Sequence, residues 1–411
     1  MKYGLIGEHL GHSFSKEIHE MLGKYKYEIC EIAKENLDSF MKEKTFNAIN
    51  VTIPYKQQVI PYLDYIDDKA LSIGAVNTVV NKNNKLYGYN TDYYGLKSLI
   101  ETNNIDVKNK KVLLLGNGGT SKTARTVLKD LEVKEIIIVD LNKDENVITY
   151  DEALKYHTDS EVIVNTTPCG MYPDNDGCIV DIDLFKNLEA VIDVVYNPIR
   201  TTIVSNALTK GIKAVSGLYM LVAQAVYAAG IFLDEEILEK EIDRIYNIIK
   251  KQKENIVLIG MPSSGKTTIG IELSKLLNKE YVDTDSLIED KINMPISNFL
   301  TKDNENDFRD IEEEVTKNIS KLNNKIISTG GGVIKREINI KRLKQNATIV
   351  FIDRSLENLI TTSSRPLSSN RTDLEKLYQQ RYNIYKLSAD IIVENNDKLE
   401  DTINKIINEV K

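Results

Sequence analysis

The sequence predicts an α/β protein with mostly parallel sheets and more than one domain. Three observations carry that expectation. Short apolar, strand-like runs alternate with helical stretches along the whole chain. Two of these runs lead directly into glycine turns: residues 111–115 enter Gly116-Asn117-Gly118-Gly119, and residues 255–259 enter Gly260-Met261-Pro262-Ser263-Ser264-Gly265-Lys266-Thr267. The length, 411 residues, suits two or three domains.

The elements follow in order. Residues 1–95 carry strands at 3–7, 48–53 and 75–80 between helices, a first α/β domain. Residues 96–216 carry strands at 111–115, 135–140, 162–165 and 190–194, the pattern of a nucleotide-binding sheet. Residues 217–250 are helical by apolar spacing and complete the first domain. The Lys/Gln/Glu stretch at 248–254 marks a boundary, and residues 254–411 form the last domain. Pieces 1–250 and 254–411 are therefore expected to fold and act separately.

Composition narrows the function. Apolar residues make up 42%, enough for packed cores. A net charge of −8 argues against a nucleic-acid or membrane-surface partner, because no broad basic field is available. Cys30, Cys169 and Cys178 lack metal-ligand spacing, and so sparse a set suits a reducing cytoplasm. Residues 1–7 read as a strand entering a turn rather than a signal peptide, and no apolar run approaches a membrane span.

The second glycine turn matches the full G-x-x-x-x-G-K-[ST] phosphate loop in its strand-before-helix setting. Glycines let backbone N–H groups turn inward around phosphate oxygens. Ser263, Ser264, Gly265, Lys266, Thr267 and Thr268 would cradle ATP, with Lys266 on the terminal phosphates and Thr267 on Mg²⁺. Asp283 and Asp285 end the next strand. Asp283 suits the Mg²⁺ side and Asp285 a hydroxylated substrate; the plainer reading is a strand-to-helix cap. Arg309 and Glu312, three apart, share a helix face and read by default as an exposed ion pair. Arg365 and Arg381 are candidate anion clamps.

In the middle domain, Gly116, Gly118 and Gly119 suit a dinucleotide turn, and Asp140 sits where a ribose-binding acid would stand. In the first domain, Lys56 and Asp92 lie near strand ends and form a plausible proton-transfer pair. Taken singly, Lys56 reads as a surface lysine, and Asp92, Ser13 and Ser15 as helix caps.

Taken together, these fragments resemble a known family. Gly11-His12-Ser13-Phe14-Ser15, Asn50 to Lys56, Gly74 to Thr78, Asn90-Thr91-Asp92, Asn165 to Met171, Asp193 to Pro198 and Gly217 to Gln224 closely resemble shikimate dehydrogenase, in order, over residues 1 to about 250. The resemblance implies reduction of 3-dehydroshikimate with a nicotinamide cofactor. It places Ser13, Ser15 and Tyr196 on the substrate carboxylate and Thr52, Asn77, Asp92 and Gln224 on its hydroxyls. It makes Lys56 the acid/base, paired with Asp92, and puts Asp68, Val194 and Gly217 near the nicotinamide. Lys16 stands where the family usually has proline. The family mostly uses NADP, often with Asn-Arg-Thr after the second Rossmann strand. Here Asp140-Leu141-Asn142-Lys143 leaves only Lys143 as a cation, which makes NAD possible.

Residues from about 254 to 411 resemble shikimate kinase. The matching fragments are the phosphate loop, Asp283-Thr284-Asp285, Glu305 to Glu312, Gly330-Gly331-Gly332, Arg365-Pro366-Leu367 and Arg381. The resemblance puts Asp285, Arg309, Gly331 and Arg381 on shikimate and Arg365 over ATP in a lid. The stretch 358–364 lacks the further arginine the family often carries.

The expected whole is a substrate-binding α/β domain (1–95 with 217–250), a Rossmann domain (96–216) and a P-loop kinase domain (254–411). One chain would make shikimate with NADPH or NADH, then phosphorylate it with MgATP. The rivals are a quinate-type dehydrogenase fused to a kinase for another polyol acid, and a ligand-binding regulator with one inactive half.

Overall fold

Short runs of two to seven residues, most of them largely apolar, become the strands of three sheets in the computed structural model, which describes residues 1–10, 14–236, 239–300, 304–361 and 370–410. The first sheet holds β1 (Tyr3–Gly7), β2 (Glu28–Glu31), β3 (Ala48–Val51), β4 (Tyr65–Ile66), β5 (Thr78–Lys82) and β6 (Lys85–Tyr89), in the order β2-β1-β3-β5-β6-β4. Its β1 runs parallel to β2 and β3, but β5 is antiparallel to both β3 and β6. The antiparallel part comes from a two-residue turn at Asn83-Asn84, whose φ values of 54° and 64° are those of a type I′ hairpin. Asn-Asn between polar lysines carried that signal. The strand expected at 75–80 accordingly begins at Thr78.

The second sheet holds β7 (Lys111–Leu115), β8 (Glu135–Val139), β9 (Val162–Asn165), β10 (Ala190–Asp193) and β11 (Lys213–Val215), in the order β11-β10-β9-β7-β8. The third holds β12 (Asn255–Ile259), β13 (Glu280–Asp283), β14 (Lys325–Ser328), β15 (Ala347–Asp353) and β16 (Ile391–Glu394), in the order β13-β14-β12-β15-β16. Every pairing in both is parallel. Their central strands are apolar apart from a polar residue at one end, as suits strands with helices on both faces.

The chain divides into two compact units. The first comprises 1–171, 177–197 and 203–249; the second comprises 172–176, 198–202 and 250–411. The second is thus discontinuous in sequence. Within it both Asp176 carboxylate oxygens accept from Arg342, each at 3.0 Å. Gln345 Nε2 donates to the Asn175 carbonyl at 2.8 Å, and Arg200 Nη2 donates to Glu254 at 2.9 Å. A piece cut at residue 254 would lack Asp176, Asn175 and Arg200.

In the first unit the segment expected as helical at 217–250 is two helices, Leu218–Leu233 and Glu239–Lys253. The chain turns at Asp234, which has φ 56°. The first of these helices packs on the helix Thr91–Thr102 within the largest core cluster. Gly95 permits the close approach: a Cβ there would lie 2.7 Å from the Met220 carbonyl oxygen and 3.0 Å from the Gln224 Cβ.

Candidate active sites

In the first unit, strand ends and two helix faces enclose a cavity of about 390 Å³. Thr52 directly follows β3, and the turn after it delivers Lys56. Asn77 precedes β5, and Asp92 stands in the first turn of the helix Thr91–Thr102. Ser15, Val194, Tyr196, Gly217 and Gln224 complete the expected set on its wall. Asp68 begins the helix Asp68–Ile73 and is not among the lining residues. Ser13 lies outside the described residues. Lys16, the departure from the family pattern, is exposed and 4.0 Å from Glu20.

Lys56 Nζ stands 2.6 Å from Asp92 Oδ2, with 29% and 19% of the two side chains exposed. Neither plain alternative holds for this pair: Lys56 is not a free surface lysine, and the helix cap is Asn90, whose side chain accepts from the Tyr93 N–H. A buried polar network backs the cavity. The Asn77 amide oxygen accepts from the Thr91 N–H at 2.7 Å and from the hydroxyls of Thr78 and Thr91 at 3.0 and 3.2 Å. With its oxygen so committed, Asn77 has its NH₂ left to present to the cavity. Asn50 joins the network, donating to Thr78 Oγ1 at 3.1 Å and accepting from the Tyr27 hydroxyl at 2.7 Å. Burial pushes the Tyr196 hydroxyl above its ordinary range, so it stays a neutral donor. Sequence reasoning assigned no role to Asn50, Thr91 or His9, which also lines the cavity. A polar residue inside an apolar strand, as Asn50 is, was the available signal.

The dinucleotide turn lies in the same unit. Gly118 caps the helix Gly119–Asp130 in extended conformation. Nothing stands within 4 Å of a Cβ built on Gly118 or Gly119, so an anion has open access to this backbone. Asp140 follows β8, and its two oxygens accept from the N–H groups of Asn117 and Leu141, both at 2.7 Å. Lys143 is paired with Glu152.

In the second unit a cavity of about 440 Å³ opens beside the phosphate loop. Lys266, Thr267, Asp283, Asp285, Arg309, Gly331 and Arg381 line it, as do Glu289, Phe308 and Glu312. The loop curls through positive φ at Gly260 (150°), Ser263 (66°) and Gly265 (96°). Lys266 Nζ donates to the carbonyls of Gly260 and Met261 at 3.0 and 2.9 Å. Asp283 serves in two ways. Its Oδ1 accepts from the Asp285 N–H, the cap geometry, while its Oδ2 stands 3.5 Å from the Thr267 hydroxyl. Ser264, Gly265 and Thr268 belong to the loop and its helix without lining the cavity, and Ser263 Oγ donates to the Ile360 carbonyl. Arg365 lies outside the described residues.

Arg309 and Glu312 are not the exposed pair expected by default. Both are buried, 2.6 Å apart, and a second arm of Arg309 reaches Glu305 at 3.1 Å. Burial pushes the Glu312 carboxyl above its ordinary range, against the pull of Arg309. The glycine run makes room for these groups. A Cβ on Gly332 would lie 2.0 Å from the Arg309 guanidinium, and one on Gly330 would lie 2.5 Å from the Asp285 carboxylate. Arg381 Nη1 and the Tyr385 hydroxyl both donate to the Gly331 carbonyl, at 2.6 and 2.5 Å. Among the described residues, no group of three His, Cys, Asp or Glu side chains is placed to hold a metal ion. No helix among them is long and apolar enough to cross a membrane.

Comparison with known proteins finds two families along the chain. Residues 5–79 match the family model described as "Shikimate dehydrogenase substrate binding domain", and residues 262–411 match "Shikimate kinase". A shikimate dehydrogenase (NADP(+)) of Clostridium beijerinckii is 39% identical over 265 residues, covering 61% of this chain and 98% of that protein. The crystal structure of shikimate dehydrogenase 1 from Peptoclostridium difficile is similar with a TM-score of 0.55 and 39% identity, over 61% of this chain and 98% of that one. A chorismate mutase/shikimate 5-dehydrogenase fusion protein from Clostridium acetobutylicum gives a TM-score of 0.57 and 37% identity, over 61% and 97%.

Proposed function

Because this chain belongs to the shikimate dehydrogenase family and continues into a shikimate kinase domain, we propose that it is bifunctional, reducing 3-dehydroshikimate to shikimate with NADPH or NADH and phosphorylating shikimate with MgATP. One observation carries the reading: most of the substrate-facing motif residues, scattered from Ser15 to Gln224 and from Lys266 to Arg381, gather on the walls of two cavities. The product of the first reaction is the substrate of the second.

In the first cavity the nicotinamide cofactor, when bound, supplies the reducing equivalent. The open backbone at Gly118 and Gly119 fits its pyrophosphate, and Asp140 its ribose. The rest falls to side chains. Ser15 and Tyr196, with Ser13, orient the carboxylate through neutral donors. Asn77 offers its amide hydrogens to a ring hydroxyl, with Thr52 and Gln224 on the others. As charge builds on the carbonyl oxygen, the Lys56 ammonium stabilises and protonates it. Asp92 holds that ammonium in place from 2.6 Å.

In the second cavity, Thr267 and Asp283 offer the hard oxygen donors that Mg²⁺ accepts alongside water and phosphate oxygens; the ion, when bound, screens phosphate charge. Lys266 neutralises charge on the transferring group. Arg309 and Arg381 receive the substrate carboxylate, and Asp285 orients the attacking hydroxyl. Arg365 would close over ATP. The three free cysteines support a cytoplasmic setting.

The test is one coupled assay. The full-length chain, given 3-dehydroshikimate, NADPH or NADH and MgATP, should form shikimate 3-phosphate, with shikimate transient. Ligand binding without turnover at either site would favour the regulatory reading, and faster turnover of quinate than of shikimate the quinate reading.

A further inference from the structure

The phosphate loop is gripped from behind by a residue outside every motif above. Asn395 follows β16 and is 6% exposed. Its Nδ2–H donates to the Ser264 carbonyl at 2.8 Å. Its Oδ1 accepts from the Thr402 hydroxyl at 3.0 Å, on the helix Leu399–Val410. Its backbone N–H donates to the Asp353 carbonyl, at the end of β15, at 2.7 Å. The amide is therefore fixed by two elements before it touches the loop. Gly265 makes the contact possible, since a Cβ there would lie 2.7 Å from Nδ2.

We propose that Asn395 is a positioning residue for ATP: by holding the Ser264 carbonyl it turns the Gly265 N–H toward the bound phosphates. The link is the planar trans peptide, in which a carbonyl and the following N–H point in opposite directions. The Ser264 carbonyl and the Gly265 N–H belong to one such plane. Anchoring the carbonyl outward on Asn395 sends the N–H to the concave side of the loop, where it attracts an anion. Without the anchor this peptide is free to rotate, and a rotated peptide turns a carbonyl oxygen toward phosphate. Lys266 braces the front of the loop through Gly260 and Met261. Asn395 braces its back. The inference rests on the ATP reading of the second cavity.

Asn395→Asp in the full-length chain is the test. The substitution keeps size and keeps an acceptor for Thr402, but replaces the donor facing Ser264 by an acceptor. At about pH 8, MgATP affinity by calorimetry and KM for ATP should worsen about ten- to a hundredfold. KM for shikimate and the dehydrogenase rate should not change. The ATP defect should shrink as pH falls, because a protonated carboxyl donates again. Asn395→Ala should show a smaller, pH-independent ATP defect, and it carries the test if the first variant does not fold. Val393→Ala, which removes buried packing from the same strand, should lower Tm without weakening MgATP binding. The proposal is overturned if both Asn395 variants bind MgATP within about twofold of wild type, or if their defects fall equally on ATP, shikimate and the dehydrogenase. A wild-type chain that fails to bind MgATP overturns the ATP reading itself, and this proposal with it.

Discussion

Arg309 Nη1 and Glu312 Oε2 lie 2.6 Å apart with 6% and 2% of their side chains exposed, so a helix-spaced pair that reads as solvated is buried against a cavity. The geometry fixes the guanidinium from one side and leaves its other arm for Glu305. Glu312→Leu should leave the buried guanidinium with Glu305 as its remaining carboxylate and lower the stability of the second unit by up to about 3 kcal/mol. Glu312→Gln keeps an acceptor and should retain most of that stability while raising KM for shikimate about tenfold. Denaturant titration and kinase kinetics check the two. Equal shikimate KM in Glu312→Gln and wild type would remove Glu312 from any part in orienting Arg309.

Lys56→Ala should lower dehydrogenase kcat about a hundred- to ten-thousand-fold, the usual range for an acid/base group, and leave shikimate phosphorylation intact. Steady-state assays of both reactions on one preparation measure this. A variant retaining more than about a third of the wild-type rate would sink the assignment.

Lys266→Ala and Asp285→Asn should each abolish phosphoryl transfer for different reasons. In the proposed role Lys266 neutralises phosphate charge, so its loss should also weaken MgATP binding. The Asp285 carboxylate lies beside Gly330, and its proposed role is on the substrate, so its variant should still bind MgATP. Calorimetry showing no nucleotide binding by Asp285→Asn would contradict that placement.

Cofactor choice should turn on Asp140. Its carboxylate is tied to the backbone of the glycine turn and of its own strand end, where it would oppose a 2′-phosphate, while Lys143 is engaged by Glu152. The expected preference for NADP over NAD in shikimate oxidation is below about a hundredfold, and Asp140→Asn should raise it. The measurement is kcat/KM with each cofactor. A wild-type ratio above that figure would show that another cation outweighs Asp140.

His19 should make the first unit acid-sensitive. It is buried, stacked on Tyr27 at 4.0 Å, and its Nδ1 lies 2.6 Å from the Tyr25 hydroxyl. Burial holds its imidazole down at about 3, against an opposing bond to Asn50. Between its ordinary value of 6.5 and about 3, the unfolded chain binds a proton that the folded chain refuses. Stability from this group is therefore complete above its unfolded value and falls with decreasing pH, by up to about 1.4 kcal/mol per pH unit. Urea midpoints of wild type and His19→Gln between about pH 7 and 5 should converge as pH falls. Parallel curves would refute the contribution.

Much of this was legible in the chain because phosphate loops and glycine turns are local: the residues that make the turn are consecutive. β7, β9 and β12 fall where apolar runs placed them, since a strand covered on both faces reads as a near-continuous apolar run. The hairpin at Asn83-Asn84 was also local, and its left-handed pair could have been read. Asn395 was not readable, because its partner is a backbone carbonyl 131 positions away and carbonyls carry no sequence signature.

By itself the sequence determined the fold class, the two family resemblances and the residue types each chemistry needs, because strand periodicity and glycine turns act over a few neighbouring positions. Tertiary structure alone decided which side chains meet and how dry their meeting place is. It bonded Asp92 to Lys56 and left the capping of that helix to Asn90. It buried Arg309 with Glu312 and committed Asp140 to the glycine turn. It also gave Asp176 and Arg200 to the second unit, where the boundary residues alone had promised a clean division. The physical reason is the same throughout. Burial and pairing set the energy of a charged group, and both depend on packing between residues far apart in the chain.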